Sequence, residues 1–275
     1  MGFDAYAISA GFDKCISKQD YEKVHGYNDF DGYWGIWDDK FLSFMGETID
    51  TLTQPFLASV FTISSHHPFV VPEEWKERLP EGKTLIQPCA AYLDQSLRIF
   101  FDNNRDKEWF DSTIFAFVAD HVSCEHYAER TNYSPGDFHI IGLLYTPDGS
   151  VQGRCAEPVS QIDIMPTLLG ILGYDESYFA YGRDVFDPQS RAITVVYDNG
   201  VYKAFTESHI HIFSEGRVTE VYSIADSTLT ENLIQSAYDR DVENYIKAYI
   251  QQYYNHAERK SYVVPADFSA DNNRR

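Results

Sequence analysis

Asp120 and His121 are the residues best placed to do chemistry. They close the apolar run Thr113-Ile114-Phe115-Ala116-Phe117-Val118-Ala119. Hard divalent ions take carboxylate oxygen, and imidazole suits Mn, Zn or Fe, so an Asp-His dipeptide offers two metal ligands in succession. Adjacent residues of an extended strand point to opposite faces, so both reach one ion only where the strand stops and the chain bends. The plain alternative is a solvated strand end. His66-His67 is the second candidate pair, after the apolar run Phe56 to Ser64. Its plain alternative is one packed ring beside one exposed ring. Ser123, Glu125 and His126 follow closely and can steady ligands or hold substrate, or simply make a polar loop. Gln161 and Asp163 can reach the same rim or cap a helix. His209 and His211 alternate on a strand pattern and face one side, which suits a metal, although a surface position on a peripheral hairpin is plainer. Trp34 and Trp37 can stack on a sugar or fill core.

The elements around these residues follow from periodicity. Thr113 to Ala119 is short, β-branched and aromatic, the pattern of a buried strand, and Phe56 to Ser64 reads the same way. Both would deliver their polar ends to the rim of a sheet, where α/β enzymes place their sites. Phe41, Leu42, Met45, Ile49 and Leu52 have helical spacing behind Asp38 or Asp39 as N-cap. Tyr92, Leu93, Ser96, Leu97, Phe100 and Phe101 predict a second amphipathic helix over about 89–103. Phe138 to Tyr145 predicts a strand closed by Thr146-Pro147-Asp148-Gly149. Ser160 caps a helix over Ile162 to Leu172. The alternation of strands and helices predicts an α/β class with a largely parallel sheet. Beyond it, short strands at 193–197, 209–213 and 217–222 with a Ser214-Glu215-Gly216 turn predict a small antiparallel subdomain. A final helix is expected over about 234–256. The domain reading is 1–190 for the main body, 191–265 for the small subdomain and 266–275 for a flexible tail.

Composition narrows the class. The 275 residues carry 16% aromatics and 44% hydrophobic residues, enough for one large core, and a net charge of −20. Such a surface repels nucleic acid, and no basic patch offsets it. Cys15, Cys89, Cys124 and Cys155 form no C-x-x-C, so a structural zinc site is not indicated. No apolar stretch approaches the ~20 residues of a transmembrane helix, and the chain reads as a soluble piece. There is no G-x-S-x-G elbow, no Walker loop and no C-x-P-x-R or S-x-P-x-R signature. No Ser or Thr stands in an activated context, so half a metal site is visible without a nucleophile.

Several segments, in order, resemble one family: Gln54-Pro55-Phe56, Ser64-Ser65-His66-His67-Pro68-Phe69, Tyr92-Leu93-Asp94-Gln95-Ser96-Leu97, Ala119-Asp120-His121 and Gln161-Ile162-Asp163-Ile164-Met165-Pro166-Thr167-Leu168-Leu169. Together they resemble the sulfatase-like phosphoglycerol transferases, the lipoteichoic acid synthase-like proteins of the alkaline phosphatase superfamily. The stretch Tyr33-Trp34-Gly35-Ile36-Trp37-Asp38 with Ser65 to Phe69 looks most like the Bacteroidetes branch. The resemblance covers about residues 1–190. It implies an alkaline phosphatase/sulfatase-like sheet flanked by helices, and a metal-dependent phosphoglycerol or phosphoryl transferase, or a related phospho- or sulfo-ester hydrolase. It implies Asp120 and His121 as ligands of a divalent metal, Mn²⁺ first, with Mg²⁺ or Zn²⁺ as alternatives. It also implies a substrate contact for His66, with His67 beside it and His126 in the following loop.

In this family a metal-bound Thr attacks phosphorus and forms a covalent intermediate. That Thr, a Glu ligand, a further substrate histidine and usually five transmembrane helices lie upstream of the stretch beginning Met1-Gly2-Phe3. The resemblance therefore implies an N-terminally truncated catalytic domain, inactive by itself, with an N-terminal complement on another chain or in a longer gene. It implies an anionic phospholipid-derived or glycan substrate, and an extracytoplasmic or periplasmic setting for the parent. The competing reading is a non-catalytic relic or a glycan- or partner-binding module.

Overall fold

The computed structural model describes residues 3–125 and 135–264. They divide into two compact units. The first comprises Met1–Phe117, Ser123–Tyr127 and Gly142–Gln152, and the second Val118–Val122, Ala128–Ile141 and Gly153–Arg275. His126 and the tail expected from 266 lie outside the described residues.

The first unit is organised by two packed helices, α3 (Asp38–Ile49) and α4 (Ile86–Asn104), after the short α1 (Phe3–Ser9) and α2 (Lys18–His25). Asp38 and Asp39 in the first turn of α3 favour its positive end. Leu42 and Ile49 then bury against Phe100, Trp109 and Phe110. Each such side chain contributes about 2 kcal/mol on burial, so packing rather than propensity holds these helices. Gly46 is where they touch most closely, since a Cβ there would come within 2.7 Å of the Asn104 amide. Strand β1 (Phe115–Val118) sets Phe115 against Phe100 and Phe101, and its ladder neighbour is β2 (Gly142–Tyr145).

Phe56 to Ser64 does not form the expected strand. Phe56, Ala58 and Val60 do pack on the core, as an extended segment would. The backbone N–H groups of Ile63 and Ser64, however, donate to the Asp38 carboxylate at 2.9 and 3.0 Å. A side chain supplies what a neighbouring strand would have supplied, and no ladder forms. The strand expected from Phe138 likewise begins only at Gly142, because Gly136–Phe138 is a 3₁₀ turn.

In the second unit, a 3₁₀ turn at Gln161–Asp163 leads into α5 (Ile164–Ile171), and a capping box links Ser160 and Asp163. The antiparallel C-terminal sheet is present as a meander of β3 (Thr194–Asp198), β4 (Val201–Phe205), β5 (His209–Ser214) and β6 (Arg217–Ser223). Both two-residue turns, Asn199-Gly200 and Glu215-Gly216, have positive φ at each position, the geometry that matches strand twist. Helix α7 (Arg240–Arg259) covers one face: Val242 and Ile246 pack on Ala204, Phe213, Val218 and Val221. The expected single helix over 234–256 is broken. A short α6 (Ile234–Ala237) stops, and the Asp239 side chain accepts from the Asp241 and Val242 N–H groups to start α7. A side-chain cap competes with continued helix at that point. Among the described residues, no helix is long and apolar enough to cross a membrane.

Candidate functional site

Just past the end of β1, the Asp120 and His121 side chains approach each other. His121 Nε2 and Asp120 Oδ2 are 3.4 Å apart, on side chains 71% and 57% exposed respectively. The His121 Nδ1 lies 2.7 Å from the Val122 carbonyl. A carbonyl only accepts, so Nδ1 carries the hydrogen, and in the neutral ring the Nε2 lone pair faces the carboxylate. Two lone pairs so placed call for a cation, either a proton on Nε2 or a metal ion shared by both. Two donors about 2.1 Å from one ion at a tetrahedral angle sit roughly 3.4 Å apart, so the pair fits a metal. It is a partial set: among the described residues, no three His, Cys, Asp or Glu side chains gather as a metal site.

The strand end is braced from the helix that follows. Gln161 donates from its side-chain amide to the carbonyls of Ala119 and Asp120, at 2.8 and 2.9 Å. Gln161 is held in turn by the Ser160–Asp163 capping box. Asp163 is buried and accepts from the backbone N–H of Ser160 and of Arg183, both at 2.8 Å. Gly182 admits this contact, since a Cβ there would meet the Ile162 carbonyl at 2.0 Å. Gln161 therefore ties down the Ala119 and Asp120 carbonyls, and Asp163 is a structural cap.

In the first unit, the His66-His67 loop is built on a buried carboxylate. Asp38 receives the Ile63 and Ser64 N–H groups, and its own N–H donates to the Ser64 hydroxyl at 3.3 Å. Burial pushes the Asp38 carboxyl above its ordinary range, while the two backbone donors pull it back. Trp34 lies half exposed, with its ring 4.4 Å from that of His66 and its Nε1 donating to the His67 carbonyl at 2.7 Å. It neither fills core nor stands free; it backs the His66 ring. The His66 Nδ1 lies 2.8 Å from the His67 carbonyl, which fixes the hydrogen there and presents Nε2 outward as an acceptor. His67 sits edge-on to Phe69, with ring centroids 5.7 Å apart.

The remaining candidates have plainer positions. The Glu125 carboxylate accepts from the Ile86 N–H at the start of α4, at 2.6 Å, and the Ser123 hydroxyl accepts from the Glu125 N–H. Both are occupied in holding the loop. His126 lies outside the described residues. The supports that residue patterns missed are Asp38 and Trp34. Asp38 was legible only as a helix cap, because nothing in the sequence shows a partner 25 positions away.

A family model described as Sulfatase matches residues 2–174. Lipoteichoic acid synthase 1 of Bacillus subtilis is 25% identical over 235 residues, covering 73% of this chain and 37% of that protein. Lipoteichoic acid synthase 2 of the same organism is 24% identical over 216 residues, covering 72% and 32%. The chain thus spans about a third of the length of these curated relatives. A Vibrio parahaemolyticus protein of the alkaline phosphatase superfamily superposes with a TM-score of 0.75 at 25% identity, covering 92% of this chain and 61% of that one.

Proposed function

The chain belongs to the sulfatase family, and on that premise we propose that it carries a metal-binding and substrate-contacting portion of an enzyme acting on phosphate or sulfate esters. The first reading is phosphoglycerol or phosphoryl transfer, and the second is hydrolysis of a related ester. The observation that carries the proposal is the convergence of Asp120 Oδ2 and His121 Nε2 at the end of β1. In this reading Asp120 and His121 hold a divalent ion, Mn²⁺ first, with Mg²⁺ or Zn²⁺ as alternatives. When bound, such an ion supplies Lewis acidity toward the ester oxygens. It also offers an anionic substrate local positive charge on a protein of net charge −20.

The chain's own residues then do the positioning. Gln161 fixes the carbonyls behind both ligands. His66, backed by Trp34, accepts a hydrogen bond from a substrate hydroxyl at Nε2 when neutral, and donates to an anionic oxygen when protonated. His67 and His126 are assigned to the substrate side of the same proposal. The substrate class is an anionic phospholipid-derived or glycan ester, met on the extracytoplasmic or periplasmic side. The test is Mn²⁺ binding by electron paramagnetic resonance, with turnover of a phosphodiester by the complete gene product. Asp120→Ala is expected to remove both. Turnover that survives Asp120→Ala would place the site elsewhere.

A further inference from the structure

The C-terminal sheet carries a second site that the ester chemistry does not use. His211 lies on the central strand β5, paired with Ala204 on β4 and Val221 on β6, on the face that α7 covers. It is 2% exposed, yet its Nδ1 has no hydrogen-bond partner. Buried polar nitrogens are ordinarily paired, so this one calls for an explanation. The ring lines a cavity of about 490 Å³ between the β4–β5 turn and the start of α7. That is far more than the ~30 Å³ share of one water, and it lies within the roughly 300–1,000 Å³ of small-molecule sites.

The lining identifies the ligand chemistry. His209 stands beside His211, with ring centroids 6.1 Å apart, and its Nδ1 is 2.8 Å from the Ser208 hydroxyl. Arg240 and Glu207 also line the cavity, and neither side chain has a hydrogen bond or ion pair among the described residues. Donors and acceptors therefore share one space: a guanidinium, two carboxylates, two imidazoles and the Ser208 and Thr206 hydroxyls. Phosphate would meet Glu207 and Asp239, and a metal would lack a third ligand. A hydroxyl both donates and accepts, so a polyhydroxylated ligand satisfies both kinds of group at once. Tyr238, 47% exposed at the rim, offers a ring face for the apolar side of a sugar. Burial and the neighbouring His209 also hold the His211 imidazole toward its neutral form, which suits an uncharged partner.

From the unpaired Nδ1 of buried His211, the mixed donor and acceptor lining and the Tyr238 rim, we infer that this cavity is a sugar- or polyol-binding subsite. It is independent of the Asp120-His121 pair, neither residue of which lines it. The test is titration of the full chain with N-acetylglucosamine, glucose, glycerol, inorganic phosphate and Zn²⁺, read from the backbone amide shifts of Ser208, His209 and Arg240. A sugar or glycerol is expected to give a saturable shift in the millimolar range. His211→Phe fills the same space without the nitrogen, and is expected to weaken binding about tenfold while the chain still melts cooperatively. The exposed Tyr238→Ala, which does not touch the core, is expected to weaken sugar binding but not glycerol binding. Equal affinity in His211→Phe and Tyr238→Ala, no saturation by any sugar or polyol, or saturation by phosphate or Zn²⁺ alone would each overturn the inference.

Discussion

Past the end of β1, Asp120 and His121 stand largely exposed with their heteroatoms 3.4 Å apart, held by local backbone contacts and Gln161. On β5, His209 and His211 are two residues of one strand, and His211 is buried under α7 with an unpaired nitrogen. Both places set a histidine near a second polar side chain, one just past a strand and one within it. Adjacent residues diverge along a strand and converge only past its end, so the first pair belongs at a rim. Alternate residues share a face, so the second pair can be carried into an interior. The spacing of two polar residues, one or two, thus decides whether a strand offers them to solvent or to a covered cavity.

The sharpest way to break this contrast is to truncate each site and read both stability and ligand binding. Asp120→Ala and His121→Ala should each reduce Mn²⁺ affinity by about 100-fold or more, because a partial ligand set has little to spare. Being exposed, they should leave unfolding free energy within about 0.5 kcal/mol of wild type. His211→Ala should do the reverse. It opens a cavity beneath α7 and should cost about 2 kcal/mol in urea unfolding with Mn²⁺ affinity unchanged. If His121→Ala proved the more destabilising, the distinction between rim and interior would be lost.

How far these sites could be read in advance follows from where their partners lie in the chain. Asp120-His121 was visible because the apolar run and its polar ends are contiguous. The helices α3, α4 and α5 were visible because their periodicity is local. Strand β4 was missed although Asn199-Gly200, a strong hairpin signal, stands directly before it. The strand reading of Phe56 to Ser64 failed at its end because the Ile63 and Ser64 N–H groups are taken by Asp38, whose reach across the fold leaves no trace in spacing. His211 was read as surface because alternation gives the shared face, while only the position of α7 says that this face is covered.

A smaller effect should separate the brace from the proposed ligands Asp120 and His121. Gln161→Ala removes two hydrogen bonds to the carbonyls of Ala119 and Asp120 without touching a ligand atom. Supporting contacts of this kind are worth roughly 10–100-fold in metal affinity, and the lower figure is expected for an exposed site. Gln161→Glu, which cannot donate when ionised, should match it, whereas Gln161→Asn is too short to restore the contact. An unchanged Mn²⁺ affinity in Gln161→Ala would show that the turn after β1 holds its shape unaided.

The smallest expected effect is a pH dependence that only the buried site should show. Burial first, and His209 second, lower the pKa of His211 from its ordinary 6.5, against an opposing pull from Asp239. His209 and Arg240 face it with positive or titratable charge, and Asp239 and Glu207 with negative charge. A histidine whose folded pKa is depressed binds fewer protons folded than unfolded. Its contribution is therefore fully present above pH 6.5 and is lost as pH falls through the folded pKa. Wild type should lose stability relative to His211→Phe between pH 7.5 and 5.5, measured by urea unfolding at both values. The difference between the two proteins removes the carboxylates they share. A gap independent of pH would mean that His211 already reaches water through the cavity, and the contrast with the solvated His121 would then be one of packing rather than of solvation.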